Sequence, residues 1–205
     1  MSRIHEENRV LSWSFTYEDG TTRHVRAPLL DATPSTEPCI ADQNLVQNGD
    51  LESIADHALW QQRDTASDLI VDELPPGLTD GGAWAIRLGR YADSHATIRQ
   101  RIEIPSGVSG LTLAFAVRAL SWDFWGGDRL QVDLIDPLTG NSRLATPVQW
   151  TNVALAGDDW LLMQVAIEKW PGINTPVELV FQVQTDWALP TDFIIDNIQL
   201  TTTCQ

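Results

Sequence analysis

The feature that most constrains this chain is a set of short segments in which apolar and polar residues alternate one by one. Leu111, Leu113, Phe115, Val117 and Ala119 share one parity of a single segment, and Leu130, Val132 and Leu134 do the same in the next. Trp84, Ile86 and Leu88 alternate with Ala85, Arg87 and Gly89, and further segments run over 96–104, 160–167, 177–185 and 193–200. A period of two marks a strand with one buried face, because successive side chains leave a strand on opposite sides. Turn signals such as Pro105-Ser106-Gly107 and Asp136-Pro137-Leu138-Thr139-Gly140 punctuate them. No sustained helical period and no internal repeat competes. The expectation is an all-β fold with two antiparallel sheets packed as a sandwich. At 205 residues, the chain can bury a core without relying on staples.

The first 38 residues differ in character. Leu11, Trp13, Phe15 and Tyr17 alternate with Ser12, Ser14 and Thr16, Glu18-Asp19-Gly20-Thr21 supplies a turn, and 22–27 returns. An isolated two-stranded hairpin is marginal in water, so its aromatic face needs a partner. The partner is the sandwich, a preceding domain or a second copy of the chain. Pro28, Pro34 and Pro38 among Asp, Thr and Ser read as a linker. The expected division is 1–38, hairpin and linker, followed by 39–205, the sandwich.

Two motifs bracket the second part. Asn44-Leu45-Val46-Gln47-Asn48-Gly49-Asp50-Leu51-Glu52 opens it, and Asp192-Phe193-Ile194-Ile195-Asp196-Asn197-Ile198-Gln199-Leu200 closes it. Together, in this order, they resemble carbohydrate-binding modules of the family 4/9/22 type, jelly rolls of the galactose-binding-like kind. Leu51 stands where that family usually has Phe, which keeps an apolar anchor. The resemblance covers about 40–205 and implies a jelly roll whose first and last strands lie side by side. That arrangement brings Cys39 and Cys204, which flank the motifs, within reach of a disulfide, and a disulfide implies an extracellular or cell-surface home. The alternative is two unrelated thiols. The resemblance also implies a structural Ca²⁺ held by Glu52 and Asp196, with Asp50 beside them. Hard oxygen ligands suit that ion. Without a metal, Asp196 would instead accept backbone N–H groups.

Functionally, the resemblance implies a non-catalytic module of a secreted or surface protein that binds a polysaccharide or glycan. The other reading is a structural or adhesive sandwich appended to a secreted enzyme, such as a metallopeptidase, with no sugar ligand. A net charge of −15 argues against nucleic acid as a partner, and no apolar run is long enough to insert in a membrane. The polar opening Met1-Ser2-Arg3-Ile4-His5 fits a cytosolic start or a piece of a larger parent protein, and the second is expected. Four histidines lack zinc-ligand spacing, and neither a G-x-S-x-G elbow nor a phosphate-cradling loop is present. The chain reads as non-enzymatic.

Two candidate ligand surfaces follow. The off-core parity includes Arg87, Arg99, Arg118, Gln131, Asp133, Gln164, Gln182 and Gln184. Planar amides, carboxylates and guanidinium groups on one face can bond pairs of sugar hydroxyls; they equally make an ordinary solvated face with cross-strand pairs. Ser121-Trp122-Asp123-Phe124-Trp125-Gly126-Gly127-Asp128 lies between two core strands. Trp122 and Trp125 at a loop tip can stack on the CH face of a sugar ring, or cap the core. The candidate ligand contacts are Trp122, Trp125, Arg118, Gln131, Asp133 and Gln182.

Overall fold

The computed structural model describes residues 35–63, 68–72, 82–142, 148–157, 159–168, 170 and 175–205, together with the backbone of three N-terminal strands. The chain divides into two compact units, Met1–Thr33 and Pro34–Gln205. In the first, β1 (His5–Glu7), β2 (Val10–Thr16) and β3 (Thr22–Pro28) form an antiparallel sheet in the order β1-β2-β3. Trp13 stands opposite Val25, and Phe15 opposite Arg23. The hairpin expected from the alternation thus carries a third strand on the free edge of β2. The expected burial of the Trp13 and Phe15 side chains lies outside the described residues.

The second unit is the sandwich. A 3-10 turn over Ile54–Leu59 leads into β4 (Trp60–Arg63), followed by β5 (Ile70–Val71), β6 (Ala85–Gly89), β7 (His95–Ile102), β8 (Val108–Ser121) and β9 (Arg129–Ile135). Then come β10 (Val148–Thr151), a single helical turn α1 (Asn152–Leu155), β11 (Leu161–Ile167), β12 (Val177–Gln184) and β13 (Thr191–Cys204). One sheet has the order β10-β9-β12-β7-β4 and the other β11-β8-β13-β6-β5, all antiparallel. From β6 onward most connections cross between sheets, which is the winding of a jelly roll.

The alternating residues face inward as the parity requires. Ile98, Val132, Leu134, Leu179, Phe181 and Val183 come from the first sheet, and Ile86, Leu88, Leu113, Phe115, Val117, Phe193 and Ile195 from the second. Phe115 and Phe181 meet edge-to-face between the layers, with centroids 5.3 Å apart. Each such ring contributes about 2–3 kcal/mol through burial. On β13 the inward parity shifts from Phe193 and Ile195 to Ile198 and Leu200, because a bulge falls between Asp196 and Gln199. Asn197 takes φ 53° there, a conformation Asn tolerates better than most residues.

The opening motif runs along β13, as the first-and-last pairing requires. Leu45 N–H donates to Leu200 O (2.8 Å), and Asn44 Oδ1 accepts from Leu200 N–H (3.0 Å). Asn48 clamps the following turn: its Oδ1 accepts from Ser53 N–H, and its Nδ2 donates to Ser53 O. Gly49 O accepts from Ile198 N–H at 2.8 Å, and a β-carbon at Gly49 would overlap the Ile198 carbonyl oxygen. Close approach of two backbones is therefore why this position is glycine. Leu51 is fully buried in the core. Cys39 and Cys204 form a disulfide with a Cα–Cα separation of 5.8 Å.

Candidate functional site

One end of the sandwich is built from three crossings: 122–128 between β8 and β9, 185–190 between β12 and β13, and 90–94 between β6 and β7. Inside the first crossing Asp123 is buried, its N–H donating to Ser121 Oγ and its Oδ1 accepting from Trp125 N–H (2.9 Å). Turning Asp123 inward turns its neighbours outward. Trp122 is 79% exposed, Phe124 83% and Trp125 92%. In the second crossing Trp187 follows Asp186 and is 82% exposed. The crossings are tied together: Asp128 Oδ1 accepts from Asp186 N–H (2.8 Å), Asp186 O from Asp93 N–H (2.7 Å), and Tyr91 O from the Thr185 hydroxyl (2.6 Å). A groove of about 370 Å³ opens beside Trp122 and Phe124, floored by Ala119, Leu120, Ser121 and Gly157.

Asp123, Asp128 and Asp186 each offer a carboxylate oxygen within 4.8 Å of the others. Among the described residues this is the one group of three or more acidic, histidine or cysteine side chains so placed, and its chemistry is that of a divalent-metal donor set. The expected trio does not assemble. Glu52 Oε1 accepts from the N–H groups of Ala83 (2.8 Å) and Trp84 (2.9 Å), so backbone donors already hold it. Asp50 is exposed. Asp196 is buried at the bulge, where its Oδ1 accepts from Asn197 N–H.

The polar parity divides between the two sheets. Gln131, Asp133 and Gln182 lie on the outer face of the first sheet, with Gln182 directly opposite Gln131. Arg118 lies on the outer face of the second sheet, on the same row as Ile194 and Arg87. Parity marks a residue as outward without saying on which sheet, and β8 is in the other sheet from β9 and β12. The first face is extensively paired: Gln149 Nε2 donates to Gln131 Oε1 (2.7 Å), the Ser142 hydroxyl to Asp133 Oδ1 (2.6 Å), and Arg99 to Glu178 (2.9 Å). Burial raises the Asp133 carboxyl above its ordinary value, against the lowering effect of the bonds from Ser142 and the Leu134 backbone. Sequence reasoning ranked Trp187, on a separate turn, below Trp122 and Trp125, and did not single out Asp186. Their local signal is an Asp-Trp pair that repeats the Trp122-Asp123 pairing in reverse.

No protein-family model matches the chain, and no curated protein sequence does. Solved structures do. A structure of TmCBM61 in complex with β-1,4-galactotriose matches with TM-score 0.58 and 17% identity over 78% of this chain and 99% of that one. A β-sandwich carbohydrate-binding-module structure concerned with promiscuous specificity matches with TM-score 0.52 and 15% identity, over 98% of this chain and 74% of that one. Some matches come from enzymes: a bacteriophage CBA120 tailspike domain matches with TM-score 0.54 and 17% identity, over 78% of this chain and 21% of its own length. At these identities the likeness is one of architecture. The chain has the jelly-roll fold of the β-sandwich carbohydrate-binding modules.

Proposed function

We propose that this chain is a non-catalytic carbohydrate-binding module, and that it meets a polysaccharide or glycan at its aromatic end. The observation that carries this is the exposure of Trp122, Phe124, Trp125 and Trp187 on two crossings that hydrogen-bond to each other. Large apolar groups gathered on one surface mark an interaction site. Flat rings stack on the CH face of a pyranose while its hydroxyls keep their water. The groove beside Trp122 and Phe124 is within the usual range for a small-ligand site. The paired outer face of the first sheet, with Gln131, Asp133 and Gln182, has fewer groups ready for a ligand.

The disulfide fits an oxidising, extracytoplasmic setting, so the module belongs at a cell surface or outside it. Among the described residues no helix is long and apolar enough to cross a membrane. The first unit serves either as the join to a larger parent protein or as a dimer contact; removing residues 1–33 and measuring elution volume separates the two. A structural calcium ion belongs to the same reading.

Affinity electrophoresis against cell-wall and plant polysaccharides tests the function. Retardation by one polymer is expected, with affinity reduced about tenfold or more in Trp122→Ala or Trp125→Ala, and folding unaffected because both rings are exposed. Equal retardation of both variants moves the site to the polar face, where Gln182→Ala is the next test. No retardation by any polymer favours the adhesive reading.

A further inference from the structure

We infer that the aromatic end holds a divalent cation of the calcium type, bound by Asp123, Asp128, Asp186 and the carboxamide oxygen of Asn152, and that this ion fixes the flanking tryptophans. The three carboxylates share one design. Each gives one oxygen to a loop amide: Asp123 Oδ1 to Trp125 N–H, Asp128 Oδ1 to Asp186 N–H, and Asp186 Oδ1 to Ala188 N–H. The second oxygen of each carries no loop amide. Asp128 is fully buried and its Oδ2 has no partner; Asp123 Oδ2 has only a 3.4 Å approach from Asn152 Nδ2.

A fourth group, outside the acidic set, points the same way. Asn152 is also fully buried. Its Nδ2 is satisfied by Asp123 O (2.8 Å) and Ser121 Oγ (3.1 Å), which fixes the orientation of the amide. Its Oδ1 is without a partner and faces the β8–β9 crossing, 4.0 Å from where a β-carbon of Gly126 would stand. Buried acceptors without donors are costly, and three clustered carboxylates repel one another. No ion pair among the described residues supplies a balancing cation to them. One metal ion answers the buried Asp128 Oδ2 and Asn152 Oδ1 at once. Oxygen donors from irregular loops, with neither thiolate nor imidazole in the set, suit calcium rather than zinc.

The ion's position explains its use. Asp123 sits between Trp122 and Phe124 in sequence, and Asp186 immediately precedes Trp187. Binding Asp123 and Asp186 to a common centre locks both crossings and so sets the spacing of the exposed rings. This part rests on the glycan reading only for its purpose; the binding itself does not.

Titration calorimetry with CaCl₂ and terbium luminescence excited through tryptophan, both without glycan, form the test. One ion per chain is expected, with Kd about 10⁻⁴ M or tighter, terbium emission displaced by Ca²⁺, and a change in tryptophan fluorescence. Asp186→Asn and Asp128→Asn should weaken binding at least tenfold, while Glu52→Gln leaves it unchanged. Should Asp128→Asn fail to fold, Asp186→Asn decides, since that side chain is only partly buried. Absence of Ca²⁺ heat and terbium emission, unchanged affinity in Asp186→Asn, or loss in Glu52→Gln overturns the site. Binding with no tryptophan response overturns the fixing of the rings. A chain that binds Ca²⁺ and no polysaccharide keeps the metal site and loses the glycan reading.

Discussion

Two regions of the sandwich join distant parts of the chain beside acidic side chains, and they are finished in different ways. Along the second half of β13, the opening motif is closed by backbone bonds, by the two amides that hold Glu52, and by the disulfide. At the aromatic end, the carboxylates of Asp123, Asp128 and Asp186 brace their loops with one oxygen each, and Asp128 Oδ2 is buried without a partner. The difference separates an acidic residue that belongs to the scaffold from one that is ready for an ion. What decides is whether amide donors have already answered its oxygens. Adjacency to a turn motif does not. By that criterion Glu52 belongs to the scaffold, and Asp128, with a buried oxygen left over, belongs to the candidate ion site.

The largest expected effect tests the clasp. The disulfide spans a sequence separation of 165 residues. Replacing Cys39 and Cys204 by Ser should cost about 2–4 kcal/mol, which for a chain of this size lowers the melting temperature by about 5–15 °C. Terbium emission at the other end should persist in that variant at temperatures where it is folded. Loss of the emission together with the disulfide would mean that the two regions are one cooperative unit.

A matched pair of glycine substitutions sharpens the contrast. A β-carbon at Gly49 meets the Ile198 carbonyl, which belongs to backbone and cannot swing away. Gly49→Ala should therefore destabilise by about 1–3 kcal/mol, read by chemical denaturation. A β-carbon at Gly127 meets the Asp186 carboxylate, the mobile part of a side chain. Gly127→Ala should leave stability within about 0.5 kcal/mol but displace Asp186 and weaken Ca²⁺ binding at least tenfold. Equal loss of stability in the two variants would break the division between scaffold and site.

Most strands could be read from the sequence because a half-buried sheet imposes its period on each strand locally. Leu111 to Ala119 and Leu130 to Leu134 face inward as the alternation requires. The bulge was not read in advance: in the sequence Asp196 only interrupts the apolar run of Phe193, Ile194, Ile195 and Ile198, and the register shift shows in the pairing. The short edge strand β10 has too few residues to show a period. The acidic cluster was not legible. Asp186 lies about sixty residues beyond Asp123 and Asp128, and only the crossing of loops at one end joins them. Arg118 failed to join Gln131 for a related reason: parity is local, and sheet membership is not.

The smallest expected effect comes from a carboxylate outside both regions. Asp133 lies on the outer face of the first sheet, nearly buried, with the Ser142 hydroxyl on one oxygen. Burial wins over that bond, and the carboxyl is raised above its ordinary value of 3.8. In the window between 3.8 and the raised value, the folded chain holds a proton that the unfolded chain has released. Stability from this group is therefore full on the acid side of the window and falls as pH rises through it. Asparagine keeps an acceptor for Ser142 and cannot ionise. Asp133→Asn should match the parent below the window and melt about 1–2 °C higher at pH 7. At the same pH and with Ca²⁺ present, Asp128→Asn should melt lower than its parent, because it loses the ion's stabilisation. Melts of both variants at pH 7 in 1 mM Ca²⁺ compare the signs directly. Two shifts of the same sign would show that unanswered oxygens at the aromatic end behave like that of Asp133, as a cost of burial with no ion to relieve it.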